Sequence, residues 1–251
     1  LGEVTGMDRA FGKLHNALTD LGIRDNTILW YCSDNGALPR VGSTGGHRGN
    51  KGKVYEGGLL VPAILEWPAR IKQPSVTNMR CSTCDIYPTL LQIAGVTVDD
   101  QPPLDGVSLV SLIDGKTTAR QKPMGFWDYT TGGISTPSAK WMADLLKAQQ
   151  AGGDLAAHES SQKAAALPDP AYPTDRFPGQ AALIHGDWKL HRIQSKKGEV
   201  TWELYDLAKD RAEKTDLSAS EGDQVKKLRG KLNDWLVSVV HSLNGDDYVT
   251  K

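Results

Sequence analysis

Thr27-Ile28-Leu29-Trp30-Tyr31-Cys32-Ser33-Asp34-Asn35-Gly36 is the stretch on which the reading of this chain turns. Its first six residues are an unbroken β-branched, aliphatic and aromatic run, which suits a strand covered on both faces and predicts a buried, parallel one. The polar tetrad that follows supplies a turn at the strand's carboxyl end, where ligands gather in open α/β sheets. Upstream, Val4, Met7, Phe11, Leu14, Leu18 and Leu21 recur in steps of three and four, with Asp8, Arg9, Lys13 and Asp20 on the wet side. That is the stripe of an amphipathic helix, and Gly22 is placed to stop it. Helix, short loop at Arg24-Asp25-Asn26, then buried strand is the grammar of an α/β domain.

Downstream, a Gly-rich loop through Gly45-Gly46-His47-Arg48-Gly49-Asn50-Lys51-Gly52 leads to Tyr55-Glu56-Gly57-Gly58. A second apolar run, Leu59 to Trp67, is broken by Pro62 and predicts a short or edge strand. Thr83 or Asp85 is a candidate cap for a helix through Ile86, Tyr87, Leu90, Leu91 and Ile93 to Gly95, with Pro88 tolerated in the first turn. Gln101 to Gly125 reads as mostly loop, with one short helix around Val107 to Ile113. Residues 146–178, rich in Ala, Gln, Ser and Pro, read as a long, partly helical surface excursion and not a core element.

Order returns at Gln180. Ala181 to His185, Trp188 to Ile193 and Thr201 to Asp206 predict three strands joined by tight antiparallel turns at Gly186-Asp187 and Lys196-Lys197-Gly198. Val225, Leu228, Leu232, Trp235, Leu236, Val239 and Leu243 then mark an amphipathic helix able to cover one face of that sheet. The expected organisation is an α/β portion over 1–125, an excursion over 126–179, and a small α+β subdomain of antiparallel sheet plus helix over 180–251.

Composition narrows the function classes. Of 251 residues, 29 are Lys or Arg and 30 are Asp or Glu, so the basic excess of a nucleic-acid binder is missing. No apolar run approaches the roughly 20 residues that span a bilayer, so a membrane partner is not expected. Neither does Leu1 to Asp8 have the pattern of a signal peptide. Cys32, Cys81 and Cys84 do not make a disulfide framework, and Cys81-x-x-Cys84 has no second pair to complete a structural zinc site.

Two places could carry chemistry. Asp34 and Asn35 put a carboxylate and an amide oxygen side by side at a strand end, the donor type of Ca²⁺ and Mg²⁺. Lys51 sits where a backbone rich in glycine can approach an anion, and its ammonium could act as a point charge on sulfate or phosphate oxygens. Taken singly, Asp34-Asn35-Gly36 is equally an ordinary turn, and Arg48, Lys51 and Lys53 are equally a solvated basic loop. A P-loop is excluded, because Asn50-Lys51-Gly52-Lys53 lacks its Lys-Ser/Thr ending.

Read together, these segments resemble the type I sulfatases, and more narrowly their arylsulfatase A-like branch. The resemblance lies in Ser33-Asp34-Asn35-Gly36, then Arg48-Gly49-Asn50-Lys51-Gly52, then Glu56-Gly57-Gly58 and Val61-Pro62-Ala63. It continues through Asp85-Ile86-Tyr87-Pro88-Thr89-Leu90-Leu91 and Leu104 to Leu109, and resumes at Gly186 to Leu190 and Leu204 to Leu207. It implies part of an alkaline-phosphatase-like α/β sandwich and the hydrolysis of sulfate esters, aryl or carbohydrate. It further implies that Asp34 and Asn35 are ligands of a divalent cation, Ca²⁺ or Mg²⁺, and that Lys51 holds the sulfate. Family habit implies a periplasmic or secreted location. His47 and Arg48, next to the loop, are expected to be structural or at the rim.

The chain also departs from the family. The formylglycine nucleophile comes from a Cys/Ser-x-Pro-x-Arg motif, which does not occur here. The paired Asp ligands and the upstream Lys and His residues of the family are absent too. The expectation is therefore the C-terminal part of a sulfatase, inactive alone, whose partner is an N-terminal half carrying the nucleophile. Alternatives are a non-catalytic half-domain and a phosphoesterase or phosphonate hydrolase of the same superfold. Trp127-Asp128-Tyr129 offers either a sugar-stacking edge or plain packing.

Overall fold

The computed structural model describes residues 2–128, 138–159 and 171–248. They fall into two compact units, each assembled from separate stretches of chain. The first comprises Leu1–Met124, Ile184–Lys189 and Tyr205–Asp216, and the second Gly125–Leu183, Leu190–Leu204 and Leu217–Lys251.

In the first unit, helix α1 (Gly2–Asp20) follows the predicted stripe and is closed by Gly22, whose φ of 69° suits glycine. Strand β1 (Leu29–Cys32) pairs with β2 (Ala63–Glu66), Leu29 opposite Glu66 and Cys32 opposite Ala63. The pairing is antiparallel and β1 is half-buried along its length, which corrects the expectation of a buried, parallel strand. An apolar run reports faces that can be covered; it carries no information on the direction of its neighbour. The stripe of α1 does meet β1, with the Phe11 ring edge-on to Tyr31 at 5.7 Å and the Tyr31 hydroxyl 3.6 Å from Met7 Sδ. Nevertheless no residue of α1 is buried.

Glu56–Leu59 forms a single helical turn, α2, ahead of β2. Helix α3 (Ile86–Ala94) has Asp85, one of the two expected caps, at its N-cap position, where the side chain makes no cap bond. The Asp85 carboxylate turns back to the preceding turn, Thr83–Asp85, whose cap is Ser82 in a capping box: the Ser82 side chain accepts from the Cys84 N–H, and the Asp85 carboxylate accepts from the Ser82 N–H. Gly95 ends α3 at φ 65°. Helix α4 (Val110–Ile113) lies inside the stretch read as a short helix.

The three predicted strands are present as β4 (Gln180–His185), β5 (Trp188–Gln194) and β6 (Val200–Asp206). A fourth, β3 (Met124–Asp128), falls across the end of the expected loop and the start of the expected excursion, and the sheet order is β3-β4-β5-β6. Gly125 concealed it, since glycine weakens a strand signal. Here the glycine is required: a Cβ at that position would fall inside the ring of Trp235. Trp235 belongs to α6 (Gly222–Leu243), which therefore lies against the sheet as its stripe predicts. Leu228, Leu232, Leu236 and Val240 of α6 are each no more than 1% exposed. Each such burial stabilises by roughly 1.5–3 kcal/mol before conformational entropy is subtracted.

Part of the excursion is helical, α5 (Ser138–Gln150). Trp127 is engaged in packing: its indole N–H donates to the Pro178 carbonyl at 2.8 Å and its ring lies edge-on to Phe177 at 6.0 Å. Tyr129, with residues 130–137 and 160–170, lies outside the described residues. The three cysteines are free thiols. Among the described residues no helix is long and apolar enough to cross a membrane.

Candidate functional site

Backbone bonds bring the two motif segments to one place. Asp34 and Asn35 follow β1 after one residue, Ser33, whose hydroxyl donates to the Asn35 carbonyl at 3.0 Å to hold the turn. The Gly36 N–H donates to the Gly58 carbonyl at 3.0 Å, the Lys51 N–H to the Ala37 carbonyl at 3.0 Å, and the Gly57 N–H to the Arg48 carbonyl at 2.7 Å. Sterics explain why glycine stands at these joints. A Cβ on Gly36 would strike the Gly57 carbonyl, and one on Gly58 would strike the Lys53 carbonyl. Thus Asp-Asn-Gly and Glu-Gly-Gly are the two sides of a single close approach between a strand end and a loop.

Asp34 and Lys51 are exposed on this surface, and Asn35 is half-buried. Asp34 and Asn35 have the oxygen chemistry of a hard-cation site but not the ligand count, which is six to eight for Ca²⁺. Among the described residues no three His, Cys, Asp or Glu side chains converge to hold a metal ion.

Beneath the loop is a polar framework. The His47 ring lies 2.9 Å, through Nδ1, from the Arg211 carbonyl. The Arg48 guanidinium donates to the Tyr205 hydroxyl at 2.7 Å and to the Glu213 carbonyl at 3.3 Å, and it lies 4.0 Å above the Tyr55 ring. Both residues are engaged in structural bonds. Deeper still, the buried Lys189 ammonium meets Glu56 Oε1 at 2.8 Å and Glu213 Oε1 at 3.0 Å. Sequence reading did not single out these three. The available signals were a lysine set between Trp188 and Leu190 and a glutamate beside two close-packed glycines; Glu213 offered none.

The second unit has a groove of about 370 Å³ whose lining includes Arg176, Phe177, Pro178, Arg192, Gln194 and Val200. Burial lowers the pKa of the Arg192 guanidinium from its ordinary value. None of Asp34, Asn35 and Lys51 lines this groove.

Residues 1–96 match the sulfatase family model. Arylsulfatase A of Homo sapiens is 32% identical over 186 residues, an overlap of 69% of this chain and 36% of that protein. The solved structure of Ps i-CgsB is similar with a TM-score of 0.67 at 21% identity, over 99% of this chain and 48% of that one. The phosphonate monoester hydrolase of Agrobacterium radiobacter is similar with a TM-score of 0.56 at 22% identity, over 97% of this chain and 40% of that one. At those identities the structural likeness is one of fold, the alkaline-phosphatase-like α/β fold. The chain spans little more than a third of arylsulfatase A, at 36% of its length.

Proposed function

We propose, from the premise that this chain belongs to the sulfatase family through residues 1–96, that it is the C-terminal part of an enzyme hydrolysing aryl or carbohydrate sulfate esters. The observation that carries this reading is the pair of backbone bonds, Gly36 to Gly58 and Lys51 to Ala37, that join the Asp34-Asn35 turn to the Lys51 loop. In the proposed site the Lys51 ammonium holds the sulfate oxygens and stabilises the charge that develops as the S–O bond breaks. Asp34 and Asn35 supply two oxygen ligands of a Ca²⁺ or Mg²⁺ ion, whose other ligands come from outside this chain. When bound, that ion supplies further positive charge at the sulfate. The chain holds no Cys/Ser-x-Pro-x-Arg sequence. Hence the formylglycine nucleophile is assigned to a separate N-terminal segment, and the chain alone is assigned no turnover. A periplasmic or secreted setting follows the same family reading.

An aryl sulfate assay tests the proposal. The chain alone should give no hydrolysis, and hydrolysis should appear when a polypeptide carrying the Cys/Ser-x-Pro-x-Arg segment is added. In that mixture Lys51→Ala should lower kcat/KM by about 10²-fold or more, the scale of losing one oxyanion-stabilising group. Turnover by the chain alone would remove the nucleophile assignment. An unaffected Lys51→Ala would remove the role given to Lys51, and no recovery in the mixture would favour a non-catalytic module. The fold likeness to a phosphonate monoester hydrolase supports a second reading, in which an aryl phosphonate monoester outcompetes the sulfate in the same assay.

A further inference from the structure

Lys189, in β5, has no exposed side-chain surface, and neither has Glu213; Glu56 retains only 5%. Taking an ion out of water costs several kcal/mol, so a buried group of three charges is a weak device for stability alone. The geometry shows what this one holds in place. Glu213 binds the Lys189 ammonium through Oε1, at 3.0 Å, and accepts from the backbone N–H of Glu56 through Oε2, at 2.6 Å. Lys189 binds the Glu56 side chain, at 2.8 Å. Glu56 is thus held by both its side chain and its backbone, at the first residue of α2.

From Glu56 the constraint passes through covalent neighbours. Gly57 donates to the Arg48 carbonyl and Gly58 accepts from the Gly36 N–H, which fixes the loop bearing Lys51 against the turn bearing Asp34 and Asn35. Arg48 adds a second strut to the same support, through the Glu213 carbonyl and the Tyr205 hydroxyl. Glu213 itself sits at φ 52°, in the left-handed region that a residue with a Cβ occupies only where its surroundings impose it. The two segments that reach this unit from far along the sequence, Ile184–Lys189 and Tyr205–Asp216, bring Lys189, Tyr205 and Glu213 with them.

We infer that Lys189 is a positioning residue for the sulfate loop: through Glu56 and Glu213 its charge sets where Lys51 stands. The inference deepens the reading in which Lys51 holds the sulfate, and rests on it. Replacing Lys189 by a neutral side chain leaves two buried carboxylates facing each other, so the loop must move to let water reach them.

The test uses the whole chain and two readouts: hydrogen exchange by mass spectrometry, and the rate at which acetic anhydride labels Lys51 with and without inorganic sulfate. In the parent chain sulfate should slow the labelling of Lys51. In Lys189→Met, exchange over residues 47–58 should rise by about tenfold or more and sulfate protection of Lys51 should be lost, while exchange over 222–243 stays unchanged. Should that variant not fold, Glu213→Gln keeps the Lys189–Glu56 pair and carries the same expectation at a smaller amplitude. Unchanged exchange over 47–58, or a rise shared equally by 222–243, overturns the positioning role. If 47–58 loosens as expected but sulfate never protects Lys51 in the parent chain, the role assigned to Lys51 fails and the positioning of the loop stands.

Discussion

The two units bury different things. In the second, α6 and the central strands enclose aliphatic side chains, with Leu183, Leu190, Leu204, Leu228, Leu232, Leu236 and Val240 all at 1% exposure or less. The first also buries apolar groups, Leu109 and Leu207 among them, but adds charged and polar ones, Glu56, Asp85, Thr89, Lys189 and Glu213, and leaves large apolar residues of α1 and β2 in contact with solvent. Leu14 and Met7 of α1 are 48% and 50% exposed, and Ile64 of β2 is 65% exposed. A region held by non-directional burial tolerates small displacements of its parts. A region held by directed bonds to ions fixes backbone positions, which is what a site for an anion and a cation requires. The comparison therefore assigns stability to one unit and geometry to the other.

The sharpest way to break that comparison is at Asp85. Its buried carboxylate accepts from the Ser82 N–H at 2.8 Å, the Val107 N–H at 2.8 Å and the Arg120 guanidinium at 2.7 Å, and Arg120 is itself only 6% exposed. Asp85→Ala removes the acceptor of all three bonds and strands a guanidinium. The expected loss is about 3–5 kcal/mol in urea unfolding, the scale for breaking a buried pair from one side. A loss below about 1 kcal/mol would show that directed bonds do not govern the first unit.

A matched pair of truncations comes next. Leu232→Ala in α6 empties a site with 0% exposure and should cost about 2–5 kcal/mol, whereas Leu14→Ala in α1 should cost under about 1 kcal/mol. Urea midpoints of the two variants give the answer directly. If Leu14→Ala proved as costly as Leu232→Ala, the stripe of α1 would be a covered surface in solution, and the contrast between the units would need another basis.

Local periodicity made most of the elements legible. The stripe from Val4 to Leu21, the three strands from Gln180 onward and the stripe of α6 are patterns of one residue type at one spacing, and each became the element it suggested. What failed to show was whatever depends on a distant partner. The antiparallel direction of β1 depends on β2, 34 positions away on the Leu29 to Ala63 count, and β3 depends on a glycine fitted to Trp235. For the proposed site, Asp34, Asn35 and Lys51 are the candidates that short motifs mark, and the structure joins their two segments by backbone bonds. The framework below was not visible, because Glu56, Lys189 and Glu213 acquire meaning only when residues 133 and 157 positions apart meet.

The smallest effect expected concerns an ion pair at the surface of the first unit. Arg70 reaches Asp114 with two parallel bonds, Nε to Oδ1 at 2.6 Å and Nη2 to Oδ2 at 2.9 Å, and Lys116 adds a third at 3.0 Å. Arg70 first, then Lys116, holds the Asp114 carboxyl down from 3.8 to about 2. A carboxyl depressed in the folded state contributes stability above its unfolded pKa and loses it as pH falls through its folded one. The parent chain should therefore exceed Asp114→Asn in thermal midpoint at neutral pH. That difference should narrow as pH falls from 3.8 toward about 2 and close below it. Because the pair faces solvent, the difference should also shrink with added salt, as the bonds of the buried Asp85 should not. A gap between parent and variant that ignores both pH and salt would mean that Asp114 acts by shape rather than charge, and the directed-bond account would then stop at the buried groups of this unit.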